Sequence, residues 1–143
     1  MERYFLDTNV IIRLITQDNA EQGEQAYFLF KQVEAGTAQV VTSEGVIVEA
    51  VQVLSSKRLY ALPRQDIQRD LEAVIMLKGL SLPGKGTYVK ALATYASSKM
   101  DFVDALNLAH MERTGIKRII SFDRDFEGLP GVTRCDPASI GKN

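Results

Sequence analysis

The chain has 143 residues, of which 45% are apolar and 24% are charged, and its formal net charge is −1. This length suits one domain with its own core, and the composition is that of a globular protein, not of a disordered or fibrous chain. The apolar runs are far shorter than the ~20 residues of a membrane span, and the charge balance is not that of a strongly basic nucleic-acid binder. We therefore predict a single domain over residues 1–143 with no membrane-spanning segment.

The first half of the chain alternates strand-like and helix-like segments. Short apolar runs predict strands over residues 4–7 and 38–42. Gly36 provides the expected stop of one helix, and Pro63 stands at the expected start of another. Helices are predicted over four ranges: 9–16, 20–35, 44–56 and 64–76.

The second half continues the same alternation. Residues 82–86 (LPGKG) read as a loop, and helices are predicted over 87–97 and 101–115. Strands are predicted over 118–122 and 132–135. Alternating strands and helices with short connections predict an α/β fold with a largely parallel central sheet. Most aromatic side chains are expected in its core: Tyr4, Phe5, Phe28, Phe30, Phe102 and Phe122.

Two features bear on the compartment. The chain enters its first predicted strand almost at once, so we expect no signal peptide. Cys135 is the only cysteine, which leaves no intrachain disulfide to form. Both features fit a cytoplasmic protein.

Acidic residues stand where parallel strands would bring them together. Asp7 and Asp123 follow predicted strands, Asp104 lies near the start of a helix, and Glu49 lies in the second turn of another. The carboxyl ends of parallel strands share one edge of a sheet, so these four side chains are expected to meet in one cleft. All-oxygen ligands without paired histidines or cysteines suit Mg²⁺ or Mn²⁺. A metal-activated water would then allow phosphodiester cleavage without a Ser–His–Asp or Cys–His set.

Each acid also has a plainer interpretation. Asp7 is a suitable N-cap or turn residue, and Asp101 stands three residues before Asp104, the spacing of a capping box. Glu49 alone is an ordinary helix-surface residue, although its neighbours are apolar. The joint pattern, not any single acid, indicates a metal site.

Four segments together resemble the motifs of a known family. They are residues 5–10 (FLDTNV), 48–50 (VEA), 101–106 (DFVDAL) and 121–126 (SFDRDF). In this order and spacing they are similar to the motifs of the PIN-domain family, and within it to the VapC-type toxin ribonucleases. The resemblance implies a three-layer α/β/α sandwich and Mg²⁺- or Mn²⁺-dependent RNA cleavage. It also implies a homodimer that is inhibited by a protein antitoxin.

The resemblance assigns roles by motif position. Asp7, Glu49, Asp104 and Asp123 match the family's acidic quartet, as catalytic residues and metal ligands. Four further residues match polar or acidic positions that support the quartet in the family: Asn9, Asp101, Ser121 and Asp125.

Basic residues near these motifs are candidates for contacts with RNA phosphates. Solvated surface charge is the alternative interpretation for each of them. The candidates are Arg13, Lys57, Arg58 and Arg124.

Two rival functions remain open from sequence. A phosphatase of the haloacid dehalogenase type would use Asp7 as its nucleophile, with Thr42 or Ser43, Lys90 and Asp123 in its other motifs. That chemistry usually needs a second Asp two residues after the first, where this chain has Asn9, and it leaves Glu49 and Asp104 unexplained. The other rival is a PIN-like module that binds RNA without cleaving it.

Overall fold

The computed structural model of the protein describes residues 1–141, so the last two residues of the predicted domain lie outside the described residues. Two short 3₁₀ turns, Arg124–Phe126 and Pro137–Ser139, accompany the regular elements. The strands are β1 (Arg3–Phe5), β2 (Gln39–Val41), β3 (Leu80–Ser81), β4 (Arg118–Ile120) and β5 (Thr133–Cys135). The helices are α1 (Thr8–Thr16), α2 (Ala20–Ala35), α3 (Glu44–Ser55), α4 (Arg64–Ile75), α5 (Lys85–Ser97) and α6 (Phe102–Thr114).

Local capping explains where several helices begin and end. Asn19 accepts a hydrogen bond from the Gln22 amide at 3.0 Å and so starts α2. Gly36, at a φ of 77°, ends the same helix in the left-handed conformation that glycine adopts without strain. The Ser43 hydroxyl accepts from the Val46 amide at the start of α3. These caps place the first turn of α3 directly after β2.

All strand pairs are parallel, but they form two sheets. β1, β2 and β3 pair in that order, with Tyr4 opposite Val40 and Val40 opposite Leu80. β4 pairs with β5 in a sheet of its own, with Ile119 opposite Arg134. The predicted α/β fold with mainly parallel strands is therefore confirmed, but within residues 1–141 the strands divide into two sheets instead of one.

The core lies between the three-stranded sheet and the helices. Val40 and Leu80 contribute the strands' buried side chains, and Ile11, Ile47 and Leu71 are fully buried on three helices. Such apolar burial is the main source of stability for a fold of this size. The helices that carry the candidate site are thus held by one shared core.

Several aromatic residues lie outside the core that the sequence predicts for them. Phe30 and Phe102 are buried as expected, but Tyr4 is 56% exposed, Phe5 64% and Phe122 82%. Phe28 is also exposed. The reason for the strand residues is the division of the sheet: β1 is an edge strand, and β4 pairs only with β5. A run of apolar residues predicts a strand, but not which of its faces a neighbour will cover.

Two boundaries also differ from prediction. β3 was not predicted, because two residues are too short for a periodic signal. The predicted loop at 82–86 ends early, since α5 already begins at Lys85 after Gly84 adopts a φ of 75°. Among residues 1–141, no helix is both long enough and apolar enough to cross a membrane.

Candidate active site

Asp7 lies where the sequence places it, at the carboxyl end of β1. Its carboxylate accepts a hydrogen bond from the Thr8 amide at 2.8 Å and caps α1. The side chain is exposed, so capping leaves its second oxygen open to solvent. Asp7 therefore caps α1, and its second carboxylate oxygen remains available to a metal ion.

Glu49 and Asn9 are both exposed on helices that follow strands. Glu49 lies in the second turn of α3, after β2, and Asn9 lies in the first turn of α1, after β1. Parallel strands β1 and β2 are neighbours, so both helices begin at the same sheet edge. This edge is the one at which α/β folds bind ligands.

The start of α6 carries two of the predicted acids. Asp101 occupies the N-cap position, yet its side chain makes no capping hydrogen bond. Asp104 is half-buried in the first turn. Burial raises the pKa of Asp104, and the negative charges of Asp101, Asp123 and Asp125 raise it further. Three neighbouring carboxylates are thus close enough to Asp104 to disfavour its ionisation.

The turn after β4 holds Asp123 in a defined conformation. The Ser121 hydroxyl accepts from the Asp123 amide at 2.9 Å, and the Asp123 carboxylate accepts from the Asp125 amide at 2.9 Å. Arg134 fixes the turn from β5 by donating to the Ser121 carbonyl at 2.6 Å. The same guanidinium pairs with Glu127 and Asp136. Ser121 therefore acts through the backbone of Asp123, as a supporting residue would.

The acids form a loose group and not an assembled metal site. Oxygen donors of this kind fit a hard divalent cation chemically. Within residues 1–141, however, no three His, Cys, Asp or Glu side chains lie close enough to share one metal ion. Asp7 and Glu49 are also absent from the charges that raise the pKa of Asp104. The structure thus brings the acids of α6 and of the turn after β4 into proximity.

The predicted basic residues have different surroundings. Arg13 is half-buried and already has partners, since it pairs with Asp18 at 3.1 Å and donates to Tyr60 at 3.2 Å. Arg124 pairs with Glu127 at 2.9 Å on the surface.

Lys57 and Arg58 are both exposed. Lys57 lines a groove whose walls also carry Asp101 and Asp104. Lys57 is thus a predicted basic residue that shares a groove with two of the acids.

Arg64 was not predicted, although its contacts define the segment that leads to α6. Its guanidinium donates to the carbonyl of Tyr95 at 2.9 Å and to that of Met100 at 2.6 Å. It also lies 4.1 Å from the centroid of the Tyr95 ring. Met100 directly precedes Asp101, so Arg64 holds the segment from which α6 begins. The sequence shows only an arginine after Pro63, which gives no sign of partners more than 30 residues away.

His110 also has partners that its sequence position does not suggest. Its Nε2 lies 2.6 Å from the Glu44 carboxylate, and its ring packs edge-on against Tyr88. Arg113 reaches its Nδ1 at 3.4 Å. The histidine therefore connects α6 to the starts of α3 and α5 as a packed residue.

The residues that a phosphatase of the haloacid dehalogenase type would need are engaged elsewhere. The buried Thr42 hydroxyl donates to the Leu6 carbonyl at 3.1 Å. Lys90 pairs with Glu112 on α6. Neither side chain is directed at Asp7 by these contacts, so the structure gives this rival no support.

The raised pKa of Asp104 predicts a pH-dependent gain in stability for Asp104→Asn. A carboxyl whose pKa is raised by folding stabilises the folded state when protonated, and that contribution is lost as the pH rises through the raised value. In EDTA, we expect Asp104→Asn to melt above wild type at pH 7. The difference in Tm should shrink towards zero below about pH 4, where the Asp104 carboxyl is protonated and, like the Asn side chain, carries no charge.

Thermal unfolding of both proteins between pH 3 and 8 measures this difference. Asp66→Asn is the matched control, because Asp66 is half-buried in the first turn of α4 but pairs with Arg69. Equal or lower melting of Asp104→Asn at pH 7 would contradict the repulsion among these acids.

Known proteins resemble this chain over most of its length. The family model described as PIN domain matches residues 4–132. A VapC ribonuclease of Aquifex aeolicus (strain VF5) is 26% identical over 124 residues, covering 87% of this chain and 90% of that protein. Ribonuclease VapC13 of Mycobacterium tuberculosis (strain ATCC 25618 / H37Rv) is 28% identical over 133 residues, covering 90% of this chain and 96% of that protein.

Among solved structures, one similar chain is VapC20 of Mycobacterium tuberculosis, described as a Sarcin-Ricin loop cleaving toxin. It is 20% identical, with coverage of 92% of this chain and 98% of that one, and the TM-score is 0.38. A TM-score below 0.5 carries no argument about function. Because the PIN domain match spans most of its length, the chain belongs to the PIN domain family.

Proposed function

We propose that this protein is a metal-dependent endoribonuclease of the cytoplasm and the toxin of a toxin–antitoxin pair. The observation that carries the proposal is Asp104, whose pKa is raised by burial and by three neighbouring carboxylates in a PIN-domain chain. Clustered acids with perturbed pKa values are typical of functional sites. The names of the relatives, VapC ribonucleases, support RNA as the substrate.

The proposed cofactor is Mg²⁺ or Mn²⁺, and the residues proposed to hold it are Asp7, Glu49, Asp104 and Asp123. A divalent cation supplies an activated water and offsets the charge of the reacting phosphate. The chain's own part is to hold the acids: α6 presents Asp104, and the Ser121 hydroxyl and Arg134 fix the turn of Asp123. Asp101 and Asp125 add negative charge beside Asp104 and so favour a cation there.

The RNA backbone requires positive charge near these acids. We propose that Lys57 and Arg58, both exposed at the end of α3, contact phosphates. Arg124 is exposed beside Asp123 and is proposed to join them. Arg13 is assigned a structural part instead, because Asp18 and Tyr60 already occupy its guanidinium.

Exposed apolar surface supports the two proposed protein partners. A groove of about 320 Å³ lies between α1, α2 and α4, and the half-exposed Tyr27 contributes to its wall. We propose that an antitoxin segment binds there and places an apolar side chain against Leu14, Phe30 and Val74 of the lining. The open edge of β1, with Tyr4 and Phe5 exposed, is the proposed contact of a homodimer.

Cleavage of a mixed RNA pool by the purified protein tests the proposed function. We expect cutting with Mn²⁺ or Mg²⁺ and none with EDTA, because phosphodiester hydrolysis here depends on the cation. Gel analysis of end-labelled products would locate the cuts. RNA binding without cutting under all these conditions would indicate the non-catalytic module instead.

A further inference from the structure

A groove between α3 and α6 adjoins the candidate active site. Its volume is about 640 Å³, which is within the ~300–1,000 Å³ typical of small-molecule sites. Its lining includes Asp101 and Asp104 on the α6 side and Val51, Gln52 and Lys57 on the α3 side. The groove is therefore continuous with the acids to which catalysis is assigned.

Part of the groove's lining is apolar. Val51 and Phe102 are buried beneath it, with 3% and 5% of their surface exposed. Val103, the neighbour of Asp104, is 43% exposed and lies along its lining. A flat, uncharged group placed here would leave water for apolar side chains on α6, which is favourable.

A small number of polar groups accompany this apolar surface. Gln52 lies three residues after Glu49 on α3, so the two side chains are neighbours on the helix surface. Among residues 1–141, the side-chain amide of Gln52 makes no hydrogen bond to other protein groups, and the residue is exposed. An amide offers a donor and an acceptor side by side, the combination that reads the edge of a nucleobase.

The cations of the groove are of two kinds. Arg64 is committed to the carbonyls of Tyr95 and Met100. Lys57 has no ion pair within residues 1–141 and is exposed at the groove. Asp101 and Asp104 would repel a phosphate that lay beside them in the groove, whereas they would not repel a neutral base. Charge therefore favours a base inside and a phosphate near Lys57.

We propose that this groove is a nucleobase subsite that holds the base next to the cleaved phosphate and reads it through Gln52. The inference rests on the proposed ribonuclease function and adds a residue that sets its cut-site preference. Single-stranded RNA is recognised in this way, with unstacked bases against side-chain surfaces and hydrogen bonds to their edges. Gln52 is accordingly a specificity residue and does not touch the reacting atoms.

Cleavage of short RNAs that vary only at the two nucleotides flanking the cut tests the subsite. Wild type should prefer one base at one flank, and Gln52→Ala should reduce that preference by roughly tenfold, because a bidentate base contact gives discrimination of this order. Cutting at disfavoured bases should persist. Gln32→Ala, at an exposed position of α2, is the matched control and should leave the preference unchanged.

A binding measurement separates failure of the subsite from failure of the proposed function. Asp104→Asn protein, with and without Gln52→Ala, is titrated into the same labelled oligonucleotides in Mg²⁺ and followed by fluorescence anisotropy. Base-dependent binding that Gln52→Ala removes supports the subsite even if wild type cuts nothing. If Gln52→Ala leaves the base preference unchanged in both assays, the subsite proposal is overturned.

Discussion

Asp104→Asn is expected to lower RNA cleavage by about a thousandfold, equivalent to about 4 kcal/mol of transition-state stabilisation. The amide has nearly the same shape as the carboxylate, so the half-buried first turn of α6 should remain intact. What is lost is the negative charge at the centre of the group formed with Asp101, Asp123 and Asp125. Single-turnover cleavage of one labelled RNA, with Mn²⁺ titrated by calorimetry in parallel, measures both activity and cation affinity.

Asp66→Asn is the control for this experiment as well. Asp66 and Asp104 are each the third residue of a helix and each half-buried, so both substitutions remove the same favourable interaction with the helix dipole. The two differ in their neighbours: carboxylates raise the pKa of Asp104, whereas Asp66 pairs with Arg69. If Asp104→Asn cleaved RNA as fast as Asp66→Asn, Asp104 would have no part in the reaction. A phosphatase that uses Asp7 would instead cleave RNA in neither variant and would hydrolyse a phosphate monoester in both.

Local sequence patterns were sufficient to place the acids on their elements. Asp7 follows a short apolar run and does follow β1, and Asp104 lies in the first turn of a helix as predicted. Asp123 likewise comes after β4. Such positions depend on neighbours within a few residues, which periodicity and capping residues record.

Pairing between distant segments is a different matter. Nothing in the segment 118–122 indicates that β4 would pair with β5 alone, and the exposure of Phe5 and Phe122 follows from that pairing. The hydrogen bonds that Arg64 donates to the carbonyls of Tyr95 and Met100 join the start of α4 to a segment more than 30 residues later. These features depend on which elements meet in space, and a single sequence carries no direct record of that.

Arg64→Ala should destabilise the protein and weaken cleavage together. The substitution removes a charged donor from the carbonyls of Tyr95, Ser98 and Met100, and it removes the guanidinium stacked on the Tyr95 ring. Hydrogen bonds to charged groups contribute roughly 1.5–3 kcal/mol, and for a domain of this size such a loss lowers the Tm by about 5–15 °C. Thermal unfolding followed by circular dichroism measures it.

The effect on cleavage should persist at temperatures where the variant is folded. Met100 directly precedes Asp101, so a released turn leaves the first turn of α6 less well positioned, and we expect at least a ~10-fold loss of cleavage. Arg64→Lys should fall between wild type and Arg64→Ala, because one ammonium cannot span the carbonyls and stack on the ring as a planar guanidinium does.

Arg69→Ala separates this positioning role from a general effect of losing an arginine. Arg69 lies on the same helix, but its side chain is 69% exposed and, among residues 1–141, pairs only with Asp66 and Asp70 on that helix. Surface pairs of this kind contribute about 0–1 kcal/mol, so its Tm and cleavage should stay near wild type. A stable Arg64→Ala with full activity would show that the turn before Asp101 holds its shape without the hydrogen bonds from Arg64. A variant with a lowered Tm but wild-type cleavage and Mn²⁺ affinity at 20 °C would limit Arg64 to a stabilising role.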